Sequence, residues 1–128
     1  MLEEKAKACL TGRKNLAGAW LFGSQASGRA GPTSDVDIAV LGFEPLSLDE
    51  RLELQLDLED SLHVFDVDLV DLRRASVVLQ FEALHGIRLF VRSPDEVARF
   101  SSLVGREYES AMALLQSGFR ARKQRKTG

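Results

Sequence analysis

The sequence of 128 residues predicts an α/β fold: a small mixed β-sheet of about four strands, flanked by helices, with a long helix at the C-terminal end. Two observations carry this prediction. Short apolar segments bounded by turn residues alternate along the chain with longer segments of helical period. Capping and turn residues stand at most of the boundaries between them. The length predicts one domain.

The first third of the chain predicts a helix and two strands. Residues 3–13 are rich in Glu, Lys and Ala and end near Gly12, which is typical of a helix. Leu16 to Phe22 is short, apolar and bounded by glycines, which favours a buried strand. After loop residues 31–34, Asp35 to Leu41 is predicted as the second strand.

The segment 48–62 fits two patterns. Leucines alternate with polar residues from 52 to 58, which is typical of a strand. Ser47 and Glu50 form a capping box, however, and the leucines are not β-branched. We therefore predict a helix over 48–62.

The second half predicts two more strands and two more helices. Residues 64–72 and 87–91 are the third and fourth strands, and 76–85 is a helix with Gly86 as its C′ residue. Ser93, Pro94 and Glu96 combine an N-cap, a proline at N1 and a capping-box acid, so a long helix is predicted from there.

The predicted domain organisation is a single unit over 1–128. Its core covers about 15–91, the C-terminal helix about 94–118 and a basic tail 119–128. The preferred interpretation of the tail is a solvated terminus. The alternative is that it docks onto an acidic partner or RNA.

Composition excludes several classes of protein. The net charge of −2 gives no general case for nucleic-acid binding, and no apolar run is long enough to span a membrane. A single cysteine, Cys9, forbids an internal disulfide, which together with an N-terminus lacking an apolar signal segment predicts a cytoplasmic protein.

One stretch carries most of the chemistry. Gly23 and Ser24 follow the first strand, where glycine allows a tight turn and the serine can cap a short helix through about Gly28. Such a turn offers backbone N–H groups and a hydroxyl to phosphates. Asp35 and Asp37 then lie on one face of the second strand, about 7 Å apart.

Two carboxylates on one strand face repel each other unless a cation lies between them, and a third acid is expected from a neighbouring strand. The third strand supplies Asp66, Asp68 and Asp71, and the pattern does not separate Asp66 from Asp68. Oxygen ligands without cysteine or ligand-spaced histidine favour Mg²⁺, or Mn²⁺, over zinc. Metal-held carboxylates facing a phosphate cradle indicate phosphoryl or nucleotidyl transfer.

With these residues the sequence resembles the minimal nucleotidyltransferases, the MNT branch of the polymerase-beta-type superfamily. The resemblance runs from about residue 15 to residue 91. It rests on Gly23-Ser24 with Gly28, on the segment from Ser34 to Val40 that contains Asp35 and Asp37, and on the segment 67–72.

The resemblance implies a nucleotidyltransferase fold and assigns roles. Asp35 and Asp37 would hold two Mg²⁺ ions, and Asp68 would be the third carboxylate, acting on the attacking hydroxyl. Gly23, Ser24 and Ser34 would bind the nucleoside triphosphate, ATP. Where the family often has arginine, this chain has Ser27, which puts one basic contact in question.

Minimal nucleotidyltransferases as short as this chain resemble the antitoxins of HEPN/MNT toxin–antitoxin pairs. Those antitoxins transfer AMP from ATP to a tyrosine of the HEPN-type toxin. This resemblance implies a HEPN-type partner encoded nearby and a homo-oligomer or hetero-oligomer formed through the C-terminal helix. Two alternatives stay open: an antitoxin that acts by occlusion without catalysis, and a nucleotidyltransferase that modifies a small molecule such as an antibiotic.

Overall fold

The computed structural model describes residues 2–23, 36–64 and 66–127, with backbone only for 119–127. The elements in chain order are α1 (Leu2–Thr11), β1 (Leu16–Phe22), β2 (Val36–Gly42), α2 (Leu48–Leu62), β3 (Val67–Asp71), α3 (Val77–Leu84), β4 (Ile87–Val91) and α4 (Pro94–Thr127). The predicted α/β class, with a four-stranded sheet and a long final helix, is confirmed.

The four strands form one mixed sheet in the order β3-β2-β1-β4. β1 pairs antiparallel with both β2 and β4, whereas β2 and β3 run parallel. Parallel neighbours need a crossover connection, and α2 supplies it. β3 and β4 are therefore the two outer strands of the sheet.

Helices cover both faces of this sheet. α1 and α2 pack on one face, and α3 and α4 pack on the other. The first face buries Ile38 of β2 and Leu58 of α2, and the second buries Trp20 of β1 and Val104 of α4. Alternate residues of each inner strand thus enter different cores, which explains why β1 is apolar along its whole length.

The segment that fits two sequence patterns is a helix. Ser47 caps α2, its hydroxyl accepts from the N–H of Glu50, and the Glu50 carboxylate accepts from the N–H of Ser47. Only one side of α2 faces the sheet, through Leu54, Leu58 and Leu62. The capping box, rather than the alternation of leucines, predicted the correct structure.

Two element boundaries differ from the prediction by three residues or more. β3 begins at Val67 rather than residue 64, because the N–H of Val64 bonds to the carbonyl of Glu59 at the end of α2. The Glu59 carboxylate also accepts from the N–H of Val67. At the other end of the chain, α4 continues to Thr127 rather than ending near 118.

Gly86 follows the C-cap of α3, as predicted, but for a different reason. Within the described residues only Gly23 is a glycine with positive φ, so Gly86 is not a left-handed cap. A Cβ at Gly86 would overlap the carbonyl of Leu21 and lie 2.9 Å from the Cβ of Phe22. The glycine lets the end of α3 approach β1 closely.

In the part of the chain that the structure describes, no helix combines the length and the apolar composition needed to cross a membrane.

Candidate active site

The site begins where β1 ends. Gly23 follows Phe22 with φ of 73°, in the left-handed region that glycine adopts readily. A Cβ built on Gly23 would overlap Oδ2 of Asp37 and lie 3.2 Å from its Cγ. The absent side chain is what lets the turn after β1 lie directly against the carboxylate of β2.

Asp37 and Asp68 lie side by side across the parallel pair. Asp37 of β2 is in register with Phe22 on one side and with Asp68 of β3 on the other. Neighbouring strands are about 4.8 Å apart, and residues in register point to the same face. That face is the one covered by α3 and α4, because Ile38 and Leu69, the next residues along, enter the opposite core.

The two carboxylates remain accessible near the starts of β2 and β3. Asp37 is half-buried and Asp68 is exposed. Two negative charges in register on neighbouring strands repel each other, and a cation between them would offset that repulsion.

The other two acids of the third-strand segment differ from Asp68. Asp66 is exposed and precedes β3. Asp71 is buried, 4% exposed, and belongs to the face opposite Asp68. Its carboxylate accepts from the N–H groups of Leu46, at 2.9 Å, and Arg73, at 3.1 Å. The register therefore favours Asp68 as the partner of Asp37. The carboxylate of Asp71 instead connects the loop before α2 with the turn after β3.

The donor chemistry fits a hard divalent cation. Carboxylate oxygens are the ligands that Mg²⁺ prefers. Among the described residues, no group of three His, Cys, Asp or Glu side chains is arranged to hold a metal. Asp37 and Asp68 would thus provide two ligands, and Asp35, the third expected one, lies outside the described residues.

Other predicted site residues also lie outside the described residues. Ser24, Ser34 and Asp35 all fall in 24–35, as do Ser27 and the predicted short helix through Gly28, and all lie outside the described residues. Their assignment to nucleotide and metal binding stays a prediction.

The structure also places arginines beside Asp68 that the sequence pattern did not single out. A groove of about 270 Å³ along β3 is lined by Asp68 together with Arg51 and Arg74. Arg51 comes from α2 and Arg74 from the turn after β3, 23 positions apart in the printed sequence. No local motif links them, so only the packing of α2 against β3 could reveal the pair.

The family comparison agrees with this geometry. Residues 4–95 match the family model described as polymerase beta, nucleotidyltransferase. The chain belongs to this family. The nucleotidyltransferase resemblance and the enzyme class predicted from the sequence are thereby confirmed.

Individual relatives of this nucleotidyltransferase extend the comparison. Protein adenylyltransferase MntA of Shewanella oneidensis, strain MR-1, is 50% identical over 60 residues, which are 47% of this chain and 42% of that protein. The match therefore spans less than half the length of that curated relative.

Solved structures match over nearly the whole chain. A chain of a toxin–antitoxin complex crystallised with AMP-PNP is 32% identical with a TM-score of 0.78, covering 93% of this chain and 96% of that one. A chain of the complex between a tri-AMPylated HEPN toxin and its MNT antitoxin, from Shewanella oneidensis, is 28% identical with a TM-score of 0.71. That match covers 94% of this chain and 98% of the other.

Proposed function

We propose that this nucleotidyltransferase transfers AMP from ATP to a hydroxyl, a tyrosine in the first instance, of a HEPN-type toxin and thereby acts as its antitoxin. The observation that carries the proposal is the register of Asp37 with Asp68 beside the Gly23 turn. The relatives described as a protein adenylyltransferase and as toxin–antitoxin complexes support the choice of donor and acceptor. A cytoplasmic location, expected from the single cysteine, is part of the same proposal.

The proposed reaction is an in-line displacement. The acceptor oxygen forms a bond to the α-phosphorus of ATP, the bond from that phosphorus to the β-phosphate oxygen breaks, and pyrophosphate leaves. Asp68, on the outer strand, accepts the proton of the attacking hydroxyl. Gly23, with Ser24 and Ser34 as predicted, holds the triphosphate. Asp35, Asp37 and Asp68 would hold the metal ions.

Mg²⁺, when bound, would neutralise charge on the triphosphate and lower the pKa of the acceptor hydroxyl. Positioning and charge neutralisation carry most of the rate in reactions of this class.

α4 is the proposed docking element for the partner. Leu103 is 47% exposed and Leu114 is 73% exposed, and with Arg106, Glu107, Ser110 and Ala111 they line one shallow groove. Exposed leucines a few turns apart on one helix are typical of a protein interface.

The decisive test replaces Asp37 by asparagine, which keeps the shape of the side chain and removes its charge. AMP transfer to the neighbouring HEPN-type protein, followed by intact mass with Mg²⁺ and ATP, should fall more than about 100-fold, the usual effect of removing one electrostatic contact in a transition state. Asp68→Asn should behave alike.

The matched control is Asp60→Asn, which removes an exposed carboxylate of α2. Its transfer rate should equal that of the wild type, and circular dichroism should show that all three variants are folded. Near-wild-type transfer by Asp37→Asn would contradict the proposed chemistry.

A second candidate function is neutralisation by occlusion, and Ser27 in place of the arginine often found in the family is the feature that favours it. Under occlusion, Asp37→Asn would still protect cells from the toxin. Under the proposed transfer mechanism, protection is lost together with the AMP mass on the toxin.

A further inference from the structure

The three described parts of the site lie on three neighbouring strands of the sheet. Gly23 follows β1, Asp37 lies on β2, and Asp68 lies on β3. The strand order puts β2 between the other two, so the phosphate-holding turn and Asp68 lie on opposite sides of Asp37. The acceptor hydroxyl must therefore arrive from the β3 side, where the sheet ends.

The groove on this side combines charge with apolar surface. Asp68, Arg51 and Arg74 line it together with the half-buried Val70 and Leu79. A ligand with an anionic group and an apolar ring system fits such a lining, whereas a carboxylate side chain would use only the arginines.

Both arginines are anchored on their inner side. Nη2 of Arg51 donates to the carbonyl of Leu69 at 3.2 Å, and Nη2 of Arg74 donates to the carbonyl of Leu46 at 3.3 Å. These bonds use a minority of the five N–H donors on each guanidinium. Anchoring lowers the entropy cost of binding an anion with the rest.

The charges that line the groove sum to zero, because Asp71 lines it as well as Asp68, Arg51 and Arg74. The Asp71 carboxylate is buried, however, and already accepts from two backbone N–H groups. Nε of Arg74 lies 3.5 Å from the buried carboxylate of Asp71, yet the Arg74 side chain is 63% exposed. Arg51 is exposed as well. Planar guanidinium groups bind phosphate oxygens in pairs, which a phosphodiester offers.

We propose that this groove binds an AMP group already attached to the acceptor protein, with Arg51 and Arg74 on its phosphodiester and its base against the apolar wall. This inference rests on the proposed function and extends it from one transfer to several. It agrees with the tri-AMPylated state of the HEPN toxin in the related complex.

Binding there places a ribose hydroxyl of the attached AMP next to Asp68. In the next transfer that hydroxyl oxygen forms a bond to the α-phosphorus of a new ATP, and the bond to the β-phosphate breaks. Pyrophosphate leaves, and the hydroxyl proton passes to Asp68. Arg51 and Arg74 are positioning residues for the second and later additions, and the first addition needs neither.

The first experiment measures binding without any transfer. 5′-AMP is titrated into the isotope-labelled protein saturated with Mg²⁺ and AMP-PNP, and amide chemical shifts are followed. The amides of Leu69, Val70 and Leu79 should shift, and the affinity should fall at least about tenfold in Arg51→Gln with Arg74→Gln, as expected for lost charge-assisted hydrogen bonds.

The control for this titration is Arg88→Gln, which removes an exposed arginine from β4 at the opposite edge of the sheet. It should bind AMP like the wild type. Equal affinity in the Arg51/Arg74 double variant, or shifts confined to other parts of the protein, would overturn the proposal. If the double variant does not fold, Arg51→Gln alone makes the same comparison.

The second experiment follows the acceptor by intact mass over time. In the Arg51/Arg74 variant the first AMP should be added at the wild-type rate and the second about tenfold more slowly. A uniform slowing of all additions, an unchanged distribution, or a wild-type enzyme that stops at one AMP would overturn the proposal. Absence of any transfer by the wild type would instead contradict the proposed function, while the AMP titration still decides whether the groove binds.

Discussion

Gly23 is the residue whose identity the site depends on most directly. Gly23→Ala forces an L-residue into positive φ and drives its Cβ into the Asp37 carboxylate. We expect the free energy of unfolding to fall by about 1–3 kcal/mol. We also expect transfer activity per folded molecule to fall, because the Asp37 carboxylate must move. Chemical denaturation and the AMP-transfer assay measure the two effects.

Gly105→Ala is the matched control, since a Cβ at Gly105 in α4 would meet no atom within 4 Å. Within a helix this change should stabilise by up to about 1 kcal/mol and leave transfer unchanged. Equal activity in both alanine variants would show that the Gly23 turn does not constrain Asp37.

Loss of the Asp71 carboxylate should lower stability and spare transfer, whereas loss of the Asp68 carboxylate should remove transfer and spare stability. Asp71→Ala leaves the buried N–H of Leu46 without its acceptor, so the free energy of unfolding should drop by about 2–4 kcal/mol. The rate of the first AMP transfer per folded molecule should stay close to that of the wild type, because Asp71 belongs to the face of β3 opposite Asp68.

Asp68→Asn should leave stability within about 0.5 kcal/mol, as for other exposed positions, and remove transfer. Urea titrations paired with activity at low temperature separate the two aspartates. Loss of transfer in folded Asp71→Ala would contradict this division of roles.

The strand pattern of the sequence puts both Asp66 and Asp68 on one face and does not separate them as the third acid. The family resemblance predicts Asp68, and the register of Asp68 with Asp37 favours the same residue. The role of Asp71 was not predictable, because its hydrogen-bond donor Leu46 comes from a loop 25 positions earlier.

At the scale of elements, α2 shows how local signals can outweigh periodicity. Its leucines alternate as in a strand, but the reciprocal bonds of Ser47 and Glu50 close the first turn of a helix. Leu54 and Leu58 face the core and Leu52 and Leu56 remain exposed, so half of the alternating leucines never contributed to a buried face.

The cap of α2 makes stability depend on pH. The backbone N–H of Ser47, and then its hydroxyl, hold the pKa of Glu50 below its ordinary value of 4.5. A lowered pKa contributes stability that is present above pH 4.5 and is lost as the pH falls through the folded-state value. The stability advantage of the wild type over Glu50→Gln should therefore shrink as the pH is lowered below 4.5.

Urea denaturation at several pH values between about 3 and 7 measures this difference. Glu109→Gln removes a carboxylate at an exposed position of α4 and is the control for a general effect of the substitution. A constant difference for Glu50→Gln would show that the cap does not stabilise the charged form.

Two details of the fold were not predictable from the sequence of the element concerned. The sequence predicts Val64 in the third strand, but its N–H closes the end of α2. Gly86 is predicted as the C′ residue of a helix, and it is the carbonyl of Leu21 on β1 that excludes a side chain there. In both cases the deciding neighbour belongs to another element.

At the scale of the whole molecule, α4 is a helix of 34 residues that carries exposed leucines, among them Leu103 and Leu114. If its groove is the partner surface, Leu103→Ser with Leu114→Ser should reduce capture of the HEPN-type protein at least about tenfold, because apolar anchors dominate interface energies. Pull-down from co-expression, with circular dichroism of the free variant, measures this.

Leu56→Ser is the control, since Leu56 on α2 is 64% exposed but lies on a different face. It should leave capture unchanged. Equal loss in both variants would place the interface elsewhere or indicate a general effect on folding.

The parallel pairing of β2 with β3 has a consequence for the stability of the fold. Asp37 and Asp68 come together only when β2 and β3 pair, through the crossover that α2 makes. A cation held by both carboxylates would therefore bind the folded sheet and not the unfolded chain, and by mass action it would raise the free energy of unfolding.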